Sequence, residues 1–573
     1  MKKRIASMML ALVLTVSLVG CKNTNDVTAV DSIQTEENGS KVKIEGASYI
    51  QLAQDEITVD GETVTTNTEE AIYVANDIVY YEEGKDFTYG EGTEADAHSK
   101  EEADKHTVVH ITKSGTYVLR GTMEAGQIAV DLGEDAKDDP EAVVTLVLDN
   151  VDITCSVAPA VIFYNVYECA SSEEEDATKD VDTSAAGANV LIPDGTDNTV
   201  KGSYVARIYK SVELNEAGTE IIDSKKLHKY DGAFYSKMSM NINGGEENTG
   251  RLNIYAENEG LDTELHLTLN GGTVNIISEN DGINTNEDNV SVTTVNGGYL
   301  NIRVDGGTGE GDGIDSNGWL VINGGVVCAA ACSTSMDAGI DSDMGIHING
   351  GTVMASGNML DHISESKQNY VVFSFQDKVK AGEEIRFVKG EESQYVSIPN
   401  DYANLVISYP DLTEGTYSLW KGEEQLRVVE NSGGMMMPGG FGGGQIPEDF
   451  EPGQMSEGFE PGQMPEGLEA GQMPNGERPK RQQGEGKDRM PEDFDPSQLP
   501  EGFESGKIPE GFEPGQMPEG FEPGKMPEGF EPGQMPGGGR GGRNFGQTNL
   551  EDAVTEFEIK AGGNMYMVVS NKA

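Results

Sequence analysis

Apolar and polar residues alternate on both sides of an Asn-Gly-Gly tripeptide that recurs five times in the middle of the chain. The copies begin at Asn243, Asn270, Asn296, Asn323 and Asn349, so successive copies are 26 or 27 residues apart. Alternation with a period of two is typical of β-strands and not of helices. A constant period over five copies indicates one structural unit that is stacked on itself.

The same positions are apolar in nearly every copy, and we expect them to point inward. A coil of three strands of about five residues, joined by turns of about three or four, needs roughly 25 residues. We therefore predict an all-β fold, a right-handed parallel β-helix with each asparagine at a corner, because Asn and Gly both tolerate positive φ. A hairpin turn at each tripeptide is the alternative, and the constant period argues against it. The expected inward residues include Ile242, Leu269, Val295, Ile322 and Ile348 before the asparagines, and Val274, Leu300, Val327 and Val353 after Gly-Gly.

Regions with different patterns flank the repeat. Residues 41–368 are assigned to the β-helix, with irregular early coils and a cap, because an open end would expose unpaired strand edges. Residues 369–432 lack the tripeptide and predict a small antiparallel β unit, to which residues 548–573 return. Residues 433–547 repeat a nine-residue motif, as in Pro514–Glu522, whose Gly, Pro, Glu and Met content predicts disorder.

The start of the chain looks like a bacterial lipoprotein signal. Three basic residues, Lys2 to Arg4, precede an apolar run that ends at Leu18-Val19-Gly20-Cys21. This resemblance implies a signal peptide over residues 1–20, a lipid on Cys21, a tether over residues 21–40 and an extracellular location at the cell membrane. An ordinary secretory peptide with a chance cysteine is the alternative.

Charge and cysteine content narrow the class of protein. Lys and Arg total 40 and Asp and Glu total 99, which gives a net charge of −59. Such a charge argues against nucleic acid and anionic membrane surfaces as partners and is compatible with cations. Four cysteines besides Cys21 are too few for a disulfide-built scaffold. A Cys155–Cys169 bridge and unpaired, buried thiols remain the two alternatives.

A second repeated motif consists of an acid, a glycine, an apolar residue and a further acid or amide. We expect equivalent positions in successive coils to stack about 4.8 Å apart, with the apolar member inward and the acids in ladders on the outside. Like charges at that spacing repel unless a cation neutralises them, and Ca²⁺ binds six to eight oxygen ligands of this type. Acids that simply point into water at Asp-Gly turns are the alternative. The predicted calcium ligands are Glu259, Asp262, Glu279, Asp281, Asn284, Asp312, Asp315, Asp337, Asp341 and Asp343.

Other candidate sites are fewer. Residues 243–366 contain no lysine, and their only arginines are Arg251 and Arg303. A lyase that acts on uronic acids needs a base beside its calcium, so Arg303 is the candidate, with a solvated strand charge as the alternative. Trp319 and Tyr299 are expected on outward positions, where an aromatic ring can support a sugar. A neighbouring loop could instead cover Trp319.

Several of these stretches resemble a bacterial carbohydrate-binding β-helix family that is associated with cellulose and pectin-type polysaccharide. The resemblance covers roughly residues 41–430 and the last twenty or so, and it includes Gly115–Gly121, Gly126–Asp131 and Leu148–Cys155. It implies a fold similar to that of calcium-dependent polysaccharide lyases, bound calcium and extracellular glycan binding.

Taken together, the sequence predicts a surface-anchored, calcium-stabilised, non-catalytic protein that binds acidic or cellulosic polysaccharide. A calcium-dependent polysaccharide lyase is the second hypothesis. A structural or adhesive surface protein, whose residues 433–547 meet a partner, is the third.

Overall fold

The Asn-Gly-Gly repeats form short parallel strands, each paired with the equivalent strand of the next copy. The computed structural model describes residues 42–430 and 552–570, and all of these residues belong to one compact unit. Ile242, Leu269, Val295, Ile322 and Ile348 are direct partners in successive strands. All five are buried, as predicted. We call these strands the first stack; they are Ala188–Ile192, Met240–Gly244, Leu267–Leu269, Val292–Val295, Trp319–Ile322, Gly345–Ile348 and Ile363–Ser366.

The strands that follow Gly-Gly form a second parallel stack in the same 22-stranded sheet. The expected inward residues Val274, Leu300, Val327 and Val353 are in register and buried. The second stack consists of Asp197–Gly202, Arg251–Ala256, Thr273–Ser278, Tyr299–Val304, Val326–Ala330 and Thr352–Gly357.

A third parallel stack lies in a separate eight-stranded sheet and carries the acid-Gly-apolar-acid motifs. Its strands are Thr107–Ile111, Gly126–Asp131, Val161–Asn165, Gly232–Ser236, Glu259–Thr263, Ile283–Thr285 and Ile314–Ser316, and Ile72–Ala75 is added antiparallel at one end. The inward side chains of all three stacks share one hydrophobic core. The all-β class is thus confirmed, whereas the right-handed parallel β-helix as such stays a prediction.

The corners of the repeat are held together by an asparagine ladder. The Nδ2 of Asn270 donates to Oδ1 of Asn243, and the same bond recurs at Asn296, Asn323 and Asn349, with lengths of 2.8 to 3.0 Å. The second glycine of the last four copies takes the positive φ, between 75° and 83°. A Cβ on the first glycine of the last three copies would lie 2.5 to 2.8 Å from the carbonyl oxygen of the preceding copy's asparagine. Both glycines are therefore required.

The N-terminal part of the described chain uses longer strands. Val144–Cys155 pairs with both Ala188–Ile192 and Asp197–Gly202, so one strand runs across the first and second stacks. The remaining elements before residue 204 are Ser48–Leu52, Thr58–Val59, Glu62–Thr63 and Gly115–Met123 as strands, the helix Lys100–Ala103, and 3-10 turns at Glu134–Asp138 and Glu174–Asp176. None of the described helices is long and apolar enough to cross a membrane.

A separate hairpin, Val205–Leu214 and Ile221–Tyr230, forms a two-stranded sheet of its own and leads directly into the third stack. Its second strand ends beside the acidic motifs. There Lys226 Nζ lies 3.0 Å from Oε1 of Glu264, just beyond the strand Glu259–Thr263. The hairpin therefore brings basic side chains to the acidic stack.

Residues 370–430 form further strands that share a second hydrophobic core with residues 557–569. Phe373, Phe387, Phe557 and Tyr566 have ring centroids 4.6 to 6.2 Å apart where they contact one another. The strand Gly563–Val569 pairs in parallel with Tyr370–Val379 and antiparallel with Arg427–Glu430. The other strands are Glu384–Lys389, Glu392–Ser397, Tyr402–Ser408, Gly415–Lys421, Glu424–Gln425 and Phe557–Ile559.

Several sequence predictions lie outside the described residues. These are the signal peptide, the tether, Cys21 and the 433–547 repeats. The domain boundaries accordingly stay predictions.

The four cysteines in the described part of the chain are all unbridged. Cys155 and Cys332 are buried, as expected, but Cys169 and Cys328 are only half-buried. Burial raises the pKa of the Cys155 and Cys169 thiols to about 12, so both are protonated at neutral pH. The alternative of a Cys155–Cys169 bridge is wrong.

Candidate functional site

The acid-Gly-apolar-acid motifs align across three strands of the third stack. Leu261, Ile283 and Ile314 are direct partners and are completely buried in the core. Asp262, Asn284 and Asp315 are partners at the next position, so they form one polar column. The first acid of each motif lies one residue before the glycine. These acids are Glu259, Asp281 and Asp312, in the same order as the strands.

The glycine of each motif allows the strand to pass close to its neighbours. A Cβ at Gly282 would lie 2.2 Å from Cγ2 of Ile302 and 2.6 Å from the carbonyl oxygen of Gly313. A Cβ at Gly313 would lie 2.3 Å from the carbonyl oxygen of Gly339. Distances below 3.0 Å are not tolerated by a well-packed core, so only glycine fits here. The glycine thereby places both acids of one motif on the same side of the coil.

The first carboxylate group consists of Asp231, Glu259 and Asp262. One oxygen from each lies within 4.8 Å of the others, and all three residues are buried. Lys229, at the end of the hairpin, forms a salt bridge with Asp231. Burial lowers the pKa of Lys229, but the charges of Asp231 and Glu259 outweigh it and raise the pKa well above its ordinary value. The lysine is therefore a permanent cation at this group.

Glu259 is also hydrogen-bonded to Asn284 of the next motif, and one oxygen of each residue has no hydrogen-bond partner among the described residues. Nδ2 of Asn284 donates to Oε1 of Glu259 over 3.1 Å, and both residues are buried. Oε2 of Glu259 and Oδ1 of Asn284 have no hydrogen-bond partner among the described residues. Buried acceptors without donors are costly, about 1–3 kcal/mol each. A proton on Glu259, or a cation that contacts these oxygens, would reduce this cost.

The second carboxylate group consists of Asp312, Asp315 and Asp341, whose ligand oxygens also lie within 4.8 Å of one another. Asp312 and Asp341 are buried and Asp315 is half-buried. Asp312 accepts a hydrogen bond from the amide of Ala338, and its own amide donates to Asp281 of the preceding motif, both over 2.6 Å. These bonds order the oxygens but supply no positive charge.

Two acids of the first group, one acid of the second group and Asp281 between them have raised pKa values. Burial is the largest cause for Glu259 and Asp262, followed by the charges of their neighbours, Asp262 and Asp231 respectively. The pKa values of Asp281 and Asp312 are also well above the usual range, because both are buried and face other carboxylates. Each group thus resists holding all of its negative charge at neutral pH unless a cation is present.

Asp361 extends the acidic region beyond the second group. Its Oδ2 accepts a bond from the amide of Ser342 over 3.1 Å. Burial raises its pKa to about 6, and the charges of Asp343 and Asp315 act in the same direction. Asp361 therefore changes its charge just below neutral pH.

The structure brings five of the ten predicted ligands into the two carboxylate groups and leaves five outside them. Glu259 and Asp262 lie in the first group, and Asp312, Asp315 and Asp341 lie in the second. Asn284 lies on the strand between them, Ile283–Thr285, and Asp281 lies two residues before that strand. The remaining three belong to neither group. Oε2 of Glu279 accepts from the amide of Gly307, Asp337 accepts from the amide of Gly311 and from Ser335, and Asp343 is exposed.

The expectation that the acids form ladders on the outside needs correction. Glu259, Asp262, Asp281, Asn284, Asp312 and Asp341 are buried. The alternative of acids that point freely into water is wrong for these residues. The reason is that burial depends on contacts between successive copies and, at the first group, on the preceding hairpin, which the local spacing of acids and glycines does not reveal.

Sequence reasoning missed Lys229, Asp231 and Asp361. Asp231 lies immediately before Gly232, so the pair Asp231-Gly232 repeats the first half of the motif one coil earlier. The sequence therefore contains a signal for Asp231. Lys229 lies before residues 243–366, the segment without lysine, and only the path of the hairpin places it beside the acids.

The two predicted aromatic residues lie on different stacks. Trp319 begins a strand of the first stack and is half-buried, whereas Tyr299 begins a strand of the second stack and is 50% exposed. The outer side of the first stack is covered near Thr183, whose Oγ1 lies 2.8 Å from Oδ1 of Asn241 and 2.7 Å from Oγ1 of Thr268. The two rings therefore do not form one platform.

Comparisons with known proteins agree with the carbohydrate-binding part of the prediction. Residues 105–390 match a family model described as carbohydrate-binding domain-containing protein. No curated protein gives a match. Among solved structures, a polysaccharide lyase-like protein from C. thermocellum, described as a gadolinium derivative, is similar at 18% identity and a TM-score of 0.30. The similarity covers 56% of this chain and 93% of that one.

Proposed function

We propose that this chain is a non-catalytic polysaccharide-binding protein, stabilised by calcium and held at the outer face of the cell membrane by a lipid on Cys21. The proposal includes a right-handed parallel β-helix as the scaffold. The observation that carries the binding function is the match of residues 105–390 to a carbohydrate-binding family, which includes the three stacks up to their last coils. Binding depends on a site and not on a fold, so the ligand has to be measured.

Calcium suits the two carboxylate groups because their oxygen atoms are of the type that this ion binds. The first group would use Asp231, Glu259 and Asp262. Oε2 of Glu259 and Oδ1 of Asn284, which have no hydrogen-bond partner among the described residues, are further oxygen atoms available to a cation. The second would use Asp312, Asp315 and Asp341. Carboxylate and amide oxygens are the ligands that Ca²⁺ prefers, and water can complete its shell. Calcium would supply the positive charge that the buried acids lack.

The binding proposal is tested by isothermal titration of the full chain with oligogalacturonate and with a neutral cello-oligosaccharide, each with calcium and with a chelator. We expect heat of binding with at least one of the two glycans and weaker binding in chelator. Absence of heat with both glycans would overturn the polysaccharide-binding function. A direct calcium titration of the wild type and of Asp312→Asn/Asp341→Asn tests the metal separately.

A polysaccharide lyase remains the second candidate because Lys229 places an amine beside three carboxylates. A base that abstracts a proton must be neutral, whereas the pKa of Lys229 is raised by Asp231 and Glu259. Lys229 thus fits charge neutralisation better than proton abstraction. Incubation with polygalacturonate, followed by ultraviolet absorbance of unsaturated products, decides the matter. A steady rise that Lys229→Met abolishes would establish the lyase.

A further inference from the structure

We propose that the outer face of the second stack binds an acidic polysaccharide through alternating arginine and tyrosine side chains. This inference rests on the proposed polysaccharide-binding function and assigns it a site. We call the site the Arg/Tyr face and define it by six residues, Arg251, Tyr255, Asn275, Tyr299, Asn301 and Arg303. Its ligand class is a linear glycan that contains uronic acids.

The face consists of three outward columns in strict register. Arg251, Thr273 and Tyr299 form one edge column, and Tyr255, Ile277 and Arg303 form the other. Each edge column therefore carries one arginine and one tyrosine, separated by two coils, or about 9–10 Å at the usual strand spacing. The order is reversed between the two columns, so each tyrosine is diagonally opposite the other.

This face is open, unlike the outer sides of the other two stacks. Tyr255 is 44% exposed and Tyr299 is 50% exposed, and Arg251 and Asn301 are also exposed. The equivalent outward residues of the first stack, such as Asn241, Val321 and His347, are buried. The acids of the third stack are buried as well. Large exposed aromatic rings on a flat, ordered surface are typical of a binding site.

The six residues of the face carry two positive charges, and one acid lies beside each of them, Asp197 next to Arg251 and Asp305 next to Arg303. Arg251 and Arg303 are the only arginines between residues 243 and 366, which contain no lysine, in a protein with a net charge of −59. Both project from this one face. Arg251 forms no salt bridge with any described residue, whereas Arg303 is held by Asp305 over 2.9 Å. A guanidinium group pairs with a carboxylate through two parallel hydrogen bonds, so these side chains suit uronate groups.

The central column is a rigid ladder of side-chain amides. Nδ2 of Asn275 donates to Oδ1 of Asn253 over 2.8 Å, and Nδ2 of Asn301 donates to Oδ1 of Asn275 over 2.9 Å. The next residue in the column is Cys328, which has no amide to donate to Oδ1 of Asn301. The ladder therefore ends in an exposed amide oxygen between Tyr299 and Arg303, where a sugar hydroxyl can donate.

A cleft of about 160 Å³ adjoins the face at this end, because Cys328, the next residue of the central column, lines it. Met354, Tyr395 and Ile398 also line the cleft. Tyr395 is 59% exposed and so presents a third aromatic ring close to the end of the ladder. A glycan that follows the columns thus has tyrosines on which its rings stack, arginines for its carboxylates and a cleft at one end.

The test compares two double variants of the full chain, Arg251→Gln/Arg303→Gln and Tyr255→Ala/Tyr299→Ala, by titration with oligogalacturonate and with a neutral cello-oligosaccharide. The arginine variant should bind oligogalacturonate about tenfold or more weakly, since two charge-assisted pairs are lost. Its affinity for any neutral glycan that the wild type binds should stay unchanged. The tyrosine variant should lose affinity for every glycan that binds.

Lys210→Gln is the matched control, because it removes one exposed positive charge from the hairpin instead of the face. Thermal unfolding of each variant confirms that the fold is intact, which is expected because the substituted side chains are exposed or half-buried. Unchanged oligogalacturonate affinity in the arginine variant would overturn the Arg/Tyr face and leave the polysaccharide-binding function standing. A wild type that binds no glycan would overturn both.

Discussion

The asparagine ladder and the acidic columns are two stacked polar arrays in the same coils, but they satisfy their polar groups differently. In the ladder, each side-chain amide donates to the previous coil and accepts from the next, over 2.8 to 3.0 Å. An amide has both donors and acceptors, so a stack of amides is complete in itself. An ionised carboxylate only accepts, and a stack of carboxylates needs donors or cations from outside.

The structure shows three partial solutions to this problem in the acidic columns. Lys229 supplies a charge to the first group, backbone amides donate to Asp281 and Asp312, and Asn284 donates to Glu259. None of them serves every oxygen, because Oε2 of Glu259 stays without a partner among the described residues. The comparison teaches that identical stacking geometry stabilises one array and leaves the other dependent on protons or cations.

The largest effect is expected from Lys229→Met, which removes the built-in cation of the first carboxylate group. Three buried carboxylates then lose their counter-charge, and breaking a buried ion pair typically costs about 3–5 kcal/mol. The free energy of unfolding in chelator, measured with urea, should fall by about this amount. Calcium should restore part of the loss, because it can replace the ammonium group.

Lys226→Met is the control for that substitution. Lys226 lies on the same hairpin strand and pairs with Glu264 over 3.0 Å, but its side chain is 42% exposed. Surface ion pairs contribute less than about 1 kcal/mol. Equal losses of stability in the two variants would contradict the role assigned to Lys229.

The next largest effect concerns pH and Asp361. Its folded-state pKa of about 6 lies above the ordinary value of 3.8, so the folded protein binds this proton more tightly than the unfolded chain does. Stability from this group is therefore lost as the pH rises through 4 to 6 and regained on acidification, by about 2–3 kcal/mol in total. The difference in unfolding free energy between the wild type and Asp361→Asn, measured in chelator, should change by this amount between pH 7 and pH 4.

Subtraction of the variant removes the other titrating groups from that measurement. Buried histidines act in the opposite direction; burial lowers the pKa of His266 to about 4, so acid destabilises the fold through this residue. The contribution of His266 is the same in the wild type and in Asp361→Asn, so it cancels in the difference. A difference that stays constant with pH would show that Asp361 titrates normally.

Calcium itself should have an effect of comparable size. A ligand at 100 times its dissociation constant stabilises the folded state by about 2.7 kcal/mol for each site. The wild type should therefore unfold at a higher temperature in calcium than in chelator, and Asp312→Asn/Asp341→Asn should show a smaller calcium-dependent shift. A wild type whose unfolding is independent of calcium would refute calcium stabilisation.

The coil pattern could be predicted from sequence because it depends on local rules that repeat. The alternation around each Asn-Gly-Gly specifies which side chains face the core, and Ile242, Leu269 and their equivalents are buried in register. The sequence does not show which residue of the tripeptide takes the positive φ. In the structure it is the second glycine and not the asparagine. That choice depends on the carbonyl of the previous coil, which is a contact between copies.

The site was only partly predictable for the same reason. The motif spacing correctly joined Glu259 with Asp262 and Asp312 with Asp315, because a bend at glycine is a local property. The burial of Glu259, Asp262 and Asp312 depends on contacts between copies, and Lys229 reaches the first group only through the hairpin that precedes the repeat. Asp337 is predicted as a calcium ligand because it begins the last motif, and Glu279 because it could complete a shell. In the structure each carboxylate accepts a backbone amide and lies outside both groups.

The smallest effect is expected in the ladder, at Asn296, and it tests the comparison most directly. Asn296→Ala removes two exposed amide bonds, which should lower the free energy of unfolding by about 1 kcal/mol. Asn296→Asp keeps the bond accepted from Asn323 but turns an acceptor toward Oδ1 of Asn270, so the carboxylate should cost more than alanine at pH 7. Protonation restores a donor, and the difference between the two variants should therefore close below about pH 4. If the aspartate variant were as stable as the wild type at pH 7, the difference argued above would be wrong: stacked carboxylates would not need donors or cations that stacked amides do without.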